Sequence, residues 1–162
     1  MRRLIRRAAP LLLVTAALVG LFMVTPSKEV EASPFDTLLG SWRGSGTVQL
    51  NSGRERLSCN AYYTGGGNQL GMAIRCTSDS SKVEIRSKLS LSGGRISGNW
   101  EERTYNAQGS ATGTATPGKI SIRVSGSING SMVVNFSRSS QSVSISTSGS
   151  PLQRVSINLT RS

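Results

Sequence analysis

Apolar and polar residues alternate one by one along most of this chain. From Trp42 the run WRGSGTVQL puts Trp42, Gly44, Gly46 and Val48 on one side, and Arg43, Ser45, Thr47 and Gln49 on the other. That is the period-two signature of a strand with one buried face. Beyond Gly40 no stretch carries helical periodicity. Turn chemistry interrupts the alternation at Ser52-Gly53, Gly66-Gly67-Asn68, Ser92-Gly93-Gly94, Pro117-Gly118 and Asn129-Gly130. The pattern predicts an all-β domain of about ten strands, near 42–50, 55–64, 69–77, 83–91, 95–105, 110–116, 119–127, 131–138, 142–147 and 153–161.

Consecutive strands can be tested as a meander, because each turn length must bring both apolar sets to one face. A Ser52-Gly53 turn sets Val48 against Leu57 and Trp42 against Tyr63. A Gly67-Asn68 turn sets Ala61 against Ile74 and Tyr63 against Met72. Gly93-Gly94 sets Leu91 against Ile96 and Ser87 against Trp100, and Pro117-Gly118 sets Ala115 against Ile120 and Ala111 against Val124. A three-residue loop, Ile128 to Gly130, pairs Val124 with Val134 and Ile122 with Phe136. A loop from Arg138 to Gln141 pairs Phe136 with Val143. Every hairpin then closes with its apolar face inward. A ten-stranded meander with one buried face leaves two exposed edges unless it closes, so an up-and-down barrel is expected. Inward glycines at 44, 46, 98 and 113 suit strongly bent strands.

Cys59 and Cys76 fall opposite each other in this register. Directly paired residues have Cα atoms about 4.5–5.5 Å apart, within disulfide range. Two free thiols and a metal pair are the alternatives, and two cysteines without histidine make a poor metal site. The outward residues are Ser, Thr, Asn, Arg and Lys, the reverse of a lipid-facing barrel. Outward charges line up across strands as Arg75–Glu84–Arg103 and Arg86–Glu101.

The N-terminal segment has a different character. Arg2, Arg3, Arg6 and Arg7 precede an apolar run from Ala8 to Val24, and Val30-Glu31-Ala32 offers a processing site. This reads as a secretory signal over 1–32 followed by one domain over 33–162, so the protein is expected to be exported, periplasmic or secreted. An uncleaved membrane anchor is the alternative. Without that segment, the 19 basic and 8 acidic residues of the chain become 14 and 6, a net charge of +8. Part of this surplus is paired; Arg43, Arg54, Arg56, Lys119, Arg123 and Arg154 remain to attract an anionic envelope polymer or lipid surface.

Where the signal ends, Ser33 can cap a turn, Pro34 suits a first helical position, and Gly40 ends the turn before Trp42. Phe35-Asp36 followed by Gly40-Ser41-Trp42 resembles the N-terminal signature of the calycin superfamily, the lipocalins and fatty-acid-binding proteins. The resemblance implies a barrel with a short turn plugging one end. It also implies a basic residue of the last strand packed on the tryptophan, a role Arg161 suits. The sequence departs from fatty-acid-binding proteins in having no room for two portal helices between the first strands. It also lacks an Arg-x-Tyr clamp in Leu159-Thr160-Arg161-Ser162.

Chemistry is sparse. The chain has no histidine, which excludes His-ligated haem, His-based zinc sites and triads with a His base. No nucleophile elbow is present, and the inward acids reduce to Glu102 and, near a strand end, Glu55. An enzyme is not expected, nor a cofactor, nor nucleic acid as partner, since aromatics are few and the chain carries an export signal. The expected state is a monomer. The inward row Trp42–Tyr63–Met72–Ser87–Trp100–Ala115, with Glu102 one pair further, gathers aromatic and apolar walls with a few polar groups. Trp42, Tyr63, Met72, Ser87, Trp100 and Glu102 are therefore the candidate ligand-binding set for a small, partly apolar molecule. A solidly packed barrel core is the competing reading of the same row. An interaction or inhibitor-type module using the basic face and loops is the alternative function.

Overall fold

The computed structural model describes residues 32–162. The expected signal segment lies outside these residues except for Ala32. The described chain is all-β: ten antiparallel strands, β1 (Gly40–Leu50), β2 (Gly53–Gly66), β3 (Gln69–Thr77), β4 (Lys82–Ser92), β5 (Arg95–Glu102), β6 (Ala107–Thr116), β7 (Lys119–Gly126), β8 (Asn129–Phe136), β9 (Ser140–Ser148) and β10 (Leu152–Arg161). Each pairs with the next, and β10 returns to β1 to close the barrel. Closure removes the two edges that an open meander would expose. At the seam Trp42 is opposite Arg161. Side chains in place of Gly44 and Gly46 would run into the carbonyl oxygens of Asn158 and Ser156.

The alternating pattern becomes the inside and outside of the barrel. Val48, Leu57, Ile74, Ile122, Val134, Ile145 and Ile157 are buried, while Ile85 and Trp100 are half-buried against the same core. The β2–β3, β4–β5 and β6–β7 hairpins have the expected registers, with Ala61 opposite Ile74, Ser87 opposite Trp100 and Ala115 opposite Ile120.

Other registers differ. Val48 faces Glu55 and Trp42 faces Ala61, because the β1–β2 turn is Asn51-Ser52 and Gly53, at φ +142°, opens β2. Ile122 faces Met132 and Val124 faces Gly130: the β7–β8 loop comes earlier, after Gly126 at φ +136°, and Asn129-Gly130 lies within β8. Phe136 faces Gln141, since β9 begins at Ser140 and Val143 pairs with Val134. Trp100 meets Gly109 rather than Ala115, because the strand expected to run to 105 turns after Glu102. Every shift is an even number of residues, so the buried face is preserved.

Cys59 and Cys76 form a disulfide across β2–β3, with Cα atoms 4.2 Å apart. Outside the barrel, Glu84 collects Arg86 at 2.7 Å, Arg75 at 3.4 Å and Arg103 at 4.0 Å. The hydrogen bond from Arg86, followed by the charge of Arg75, holds the Glu84 carboxyl below the usual range. Arg86 and Glu101 are cross-strand partners by backbone, but their charges go elsewhere, Arg86 to Glu84 and Glu101 to Arg103 at 4.0 Å.

Candidate functional site: a cavity open at one end

The meander places its connections alternately at two ends. One end carries the β2–β3, β4–β5, β6–β7 and β8–β9 turns, and it is closed by the segment before β1. Residues 34–38 form turns rather than a helix. Ser33 accepts from Phe35 N through Oγ at 3.2 Å and from Asp36 N through its carbonyl at 3.0 Å. Phe35 and Leu38 are fully buried and act as the stopper. The Asp36 carboxylate accepts from Gly67 N at 2.8 Å, fastening the stopper to the tip of the β2–β3 hairpin. Trp42 donates its indole N–H to Leu38 O at 2.7 Å, and the Arg161 guanidinium lies 4.3 Å from the centre of its ring. Arg161 also donates to Leu39 O at 2.5 Å, Thr37 O at 2.6 Å and Arg138 O at 2.7 Å. One side chain thus caps three carbonyls that lie outside any strand ladder, a task for which a five-donor planar fork is suited.

The other end carries the β1–β2, β3–β4, β5–β6, β7–β8 and β9–β10 connections, and no segment among the described residues closes it. A cavity of about 660 Å³ opens there. Its walls are mainly apolar, with Leu57, Ile74, Ile85, Ile122, Met132 and Ile145 among them, and its rim is formed by loop residues such as Asn51, Ser81, Asn106 and Pro151. This volume lies within the range of about 300–1,000 Å³ typical of small-molecule sites.

The six candidate residues divide between the two ends. Met72, Ser87, Trp100 and Glu102 line the cavity; Trp42 and Tyr63 do not. The row they were read from is real for Tyr63, Met72, Ser87 and Trp100, which pair in sequence across β2–β5. Barrel strands tilt by about 35–45° to the axis, so a cross-strand row climbs from one end to the other. Tyr63 is near the closed end, where its hydroxyl donates to Gln141 Oε1 at 2.8 Å and burial pushes its pKa well upward.

Trp100 has a glycine, Gly109, as its cross-strand neighbour. Its indole N–H reaches past Gly109 to Ser125 O at 3.3 Å. A side chain at Gly109 would run into the Ser125 carbonyl oxygen and come within 2.9 Å of Trp100 Nε1. Trp100 thus lines the cavity with its indole N–H already occupied. Ser87, opposite Trp100, is buried at 7% exposure, and its hydroxyl, like Gln141 Nε2 near the closed end, has no hydrogen-bond partner among the described residues. Glu102 accepts from Glu84 N at 2.9 Å, Thr104 N at 3.2 Å and Tyr105 N at 2.7 Å. Its carboxylate thus organises the β5–β6 turn at the rim. The other inward acid, Glu55, accepts from Ser80 N at 3.2 Å and is tied to a different loop.

Sequence reasoning passed over two contributors. Asp36, named above only as part of the Phe35-Asp36 pair, joins the stopper to Gly67. Gly109 is the floor beneath Trp100, and only its opposition to Trp100 in β5–β6 could have revealed it.

No protein-family model matches the sequence, and a search of curated proteins finds no match. The fold does have relatives of known structure. The chain is similar to Rv2717c from M. tuberculosis, with a TM-score of 0.64 and 15% identity over 82% of this chain and 99% of that one. It is also similar to the S-type phycobiliprotein lyase CPES from Guillardia theta, with a TM-score of 0.55 and 12% identity over 78% of this chain and 89% of that one. At these identities the likeness is one of fold alone, a closed antiparallel β-barrel.

Proposed function

We propose that this protein is a binder of a small, largely apolar molecule, held in the open half of an exported calycin-like barrel. The observation that carries the reading is the cavity itself: about 660 Å³, mainly apolar, with a buried, unpartnered Ser87 hydroxyl beside the face of Trp100. Apolar walls with a few placed polar groups are the usual composition of such sites. The occurrence of this architecture in a protein named as a phycobiliprotein lyase is compatible with a small-molecule site. The N-terminal basic and apolar run supports export with cleavage after Ala32; intact-mass measurement of the protein from its own host should find Ser33 as the first residue. No catalytic group is invoked, since Glu102 and Glu55 are each engaged by loop donors.

The test is native mass spectrometry of protein exported by its own host, with Ala111→Phe as the blocked control, Ala111 being a buried residue of the cavity wall. A co-purifying small molecule lost in the variant is expected. Protein that carries nothing, and whose Trp100 emission no apolar probe alters, would overturn the reading.

A second, compatible role rests on Arg43, Arg54, Arg56, Lys119, Arg123 and Arg154. All are exposed, and none enters an ion pair among the described residues. With a net charge of +8 for 33–162, they support weak attachment to anionic envelope polymers or lipid surfaces. That attachment should fade as the Debye length shrinks from about 10 Å at 0.1 M salt to about 3 Å at 1 M. Binding indifferent to salt would exclude it.

A further inference from the structure

The charge of the cavity wall limits what it can hold. Among the described residues, no Arg or Lys lines the cavity, and Glu102 is its one charged side chain. Three backbone N–H groups already compensate the Glu102 carboxylate, two at Oε1 and one at Oε2, and none of its partners is a cation. A ligand carboxylate or sulfate entering this space would give up its hydration and find no counter-charge. It would also share a low-dielectric enclosure with a second anion. Burial of an unpaired charge is among the most costly events in a protein interior.

The polar opportunity that remains is neutral. Ser87 Oγ can both donate and accept, is buried, and has no partner. Trp100, its direct cross-strand neighbour, has its N–H engaged with Ser125 O and so offers only its ring face. Resting on the binder reading above, we infer that the cavity selects an uncharged, predominantly apolar molecule bearing a hydroxyl or carbonyl group. Ser87 is its polar anchor and Trp100 the flat wall beside it; anionic amphiphiles of the same length are excluded.

Three probes of equal chain length separate the parts of this inference: 1-octanol, octane, and octanoate at pH 8. Binding is followed by Trp100 emission, with Trp100→Phe confirming the origin of the signal. Octanol should bind at least tenfold more tightly than octanoate. Ser87→Ala, nearly isosteric, should weaken octanol by roughly three- to tenfold, the worth of one hydrogen bond, and leave octane unchanged. Octanoate binding as well as octanol would overturn the charge selection. An unchanged octanol affinity in Ser87→Ala would overturn the anchor. Failure of all three probes to bind would instead overturn the binder reading on which both rest.

Discussion

At the closed end of the barrel Trp42 is almost fully buried, gives its N–H to Leu38 O and is covered by Arg161, which itself holds three carbonyls. At the open end Trp100 is half-buried, reaches one carbonyl at 3.3 Å and lines a cavity. The same residue type, inward on strands of one sheet, is in one place a structural anchor and in the other a wall. What separates them is the satisfaction of the groups around them. The closed end engages the polar atoms of Ser33, Asp36, Trp42, Tyr63 and Arg161 on its own backbone and side chains and leaves Gln141 Nε2 unpaired within packed surroundings, whereas the open end leaves the Ser87 hydroxyl unpaired at a cavity wall. Stability should therefore concentrate at the first end and ligand affinity at the second.

The largest expected effect tests that division directly. Trp42→Ala should cost about 3–5 kcal/mol, as for other buried aromatics cut to Ala. Trp100→Ala should cost less than about 2 kcal/mol, because much of its ring already borders empty space. Chemical denaturation of the two variants decides it; equal losses would mean that the cavity wall is as tightly packed as the stopper.

Next in size is the disulfide. Cys76 lies one residue before the end of β3, near the mouth, and lines the cavity. The open end, lacking a stopper, is tied covalently instead. With a sequence separation of 17, loss of the bond in a Cys59→Ala, Cys76→Ala double variant should cost about 3 kcal/mol. Hydrogen exchange should rise first at the mouth ends of β2 and β3, near Leu57 and Thr77. A uniform rise reaching Trp42 equally would show that the two ends do not differ in local stability. Thiol labelling of unfolded, unreduced protein should find no reactive thiol.

The difference between the ends also explains what could be read from the sequence. Inside and outside were legible throughout, because burial of one face enforces the parity of every strand. Registers were legible where glycine sits within the turn itself, as in Gly67-Asn68, Gly93-Gly94 and Pro117-Gly118, and across β3–β4, where Met72 meets Ser87 and Arg75 meets Glu84. At Gly53 and Gly126 the positive φ serves the residue flanking the loop, so each turn lies a residue or two earlier than expected and the register slips by two residues at β1–β2 and four at β7–β8. An even slip leaves every apolar residue inward, and hydropathy therefore cannot detect it. Such slips, with the climb of rows in a tilted barrel, put Trp42 and Trp100 at one apparent level. The meeting of Trp42 and Arg161 was legible too, since it depends only on the chain ends pairing at the β1–β10 seam. A cavity has no comparable signature: it depends on how far side chains of the right polarity fail to fill the interior.

A smaller effect sharpens the closed end. Arg161→Ala removes a cation on an aromatic ring and three hydrogen bonds, but the guanidinium is exposed and water can replace part of what is lost. About 1–2 kcal/mol is expected. Arg161→Lys should recover little, since an ammonium cannot span Leu39, Thr37 and Arg138 at once. A cycle with Trp42→Phe should show coupling of at least about 0.5 kcal/mol; strictly additive losses would mean that the ring and the guanidinium do not act together.

The smallest effect, and the finest comparison, concerns two buried hydroxyls on one cross-strand row. Tyr63 has Gln141 as its partner, and Ser87 has none. Tyr63→Phe at pH 8 should cost about 1–2 kcal/mol, because Gln141 Oε1 then loses its donor in a buried place. Burial raises the folded-state pKa of Tyr63 above the ordinary value of about 10, desolvation outweighing the hydrogen bond to Gln141. The corresponding stability is present in full below about pH 10. It is lost as pH rises further, where the unfolded phenol releases its proton and the folded one keeps it. Removing this residue should therefore abolish one proton's worth of alkaline slope, up to about 1.4 kcal/mol per pH unit. Ser87→Ala should do neither. Deleting an unpartnered buried hydroxyl removes a desolvation cost rather than a bond, so stability should stay within about 0.5 kcal/mol of the parent or rise slightly. Denaturation of the two variants at pH 8 and pH 11 reads both signs. A Ser87→Ala loss as large as that of Tyr63→Phe would mean that the Ser87 hydroxyl is already satisfied in the empty protein. The cavity wall would then hold no buried polar group in reserve for a ligand.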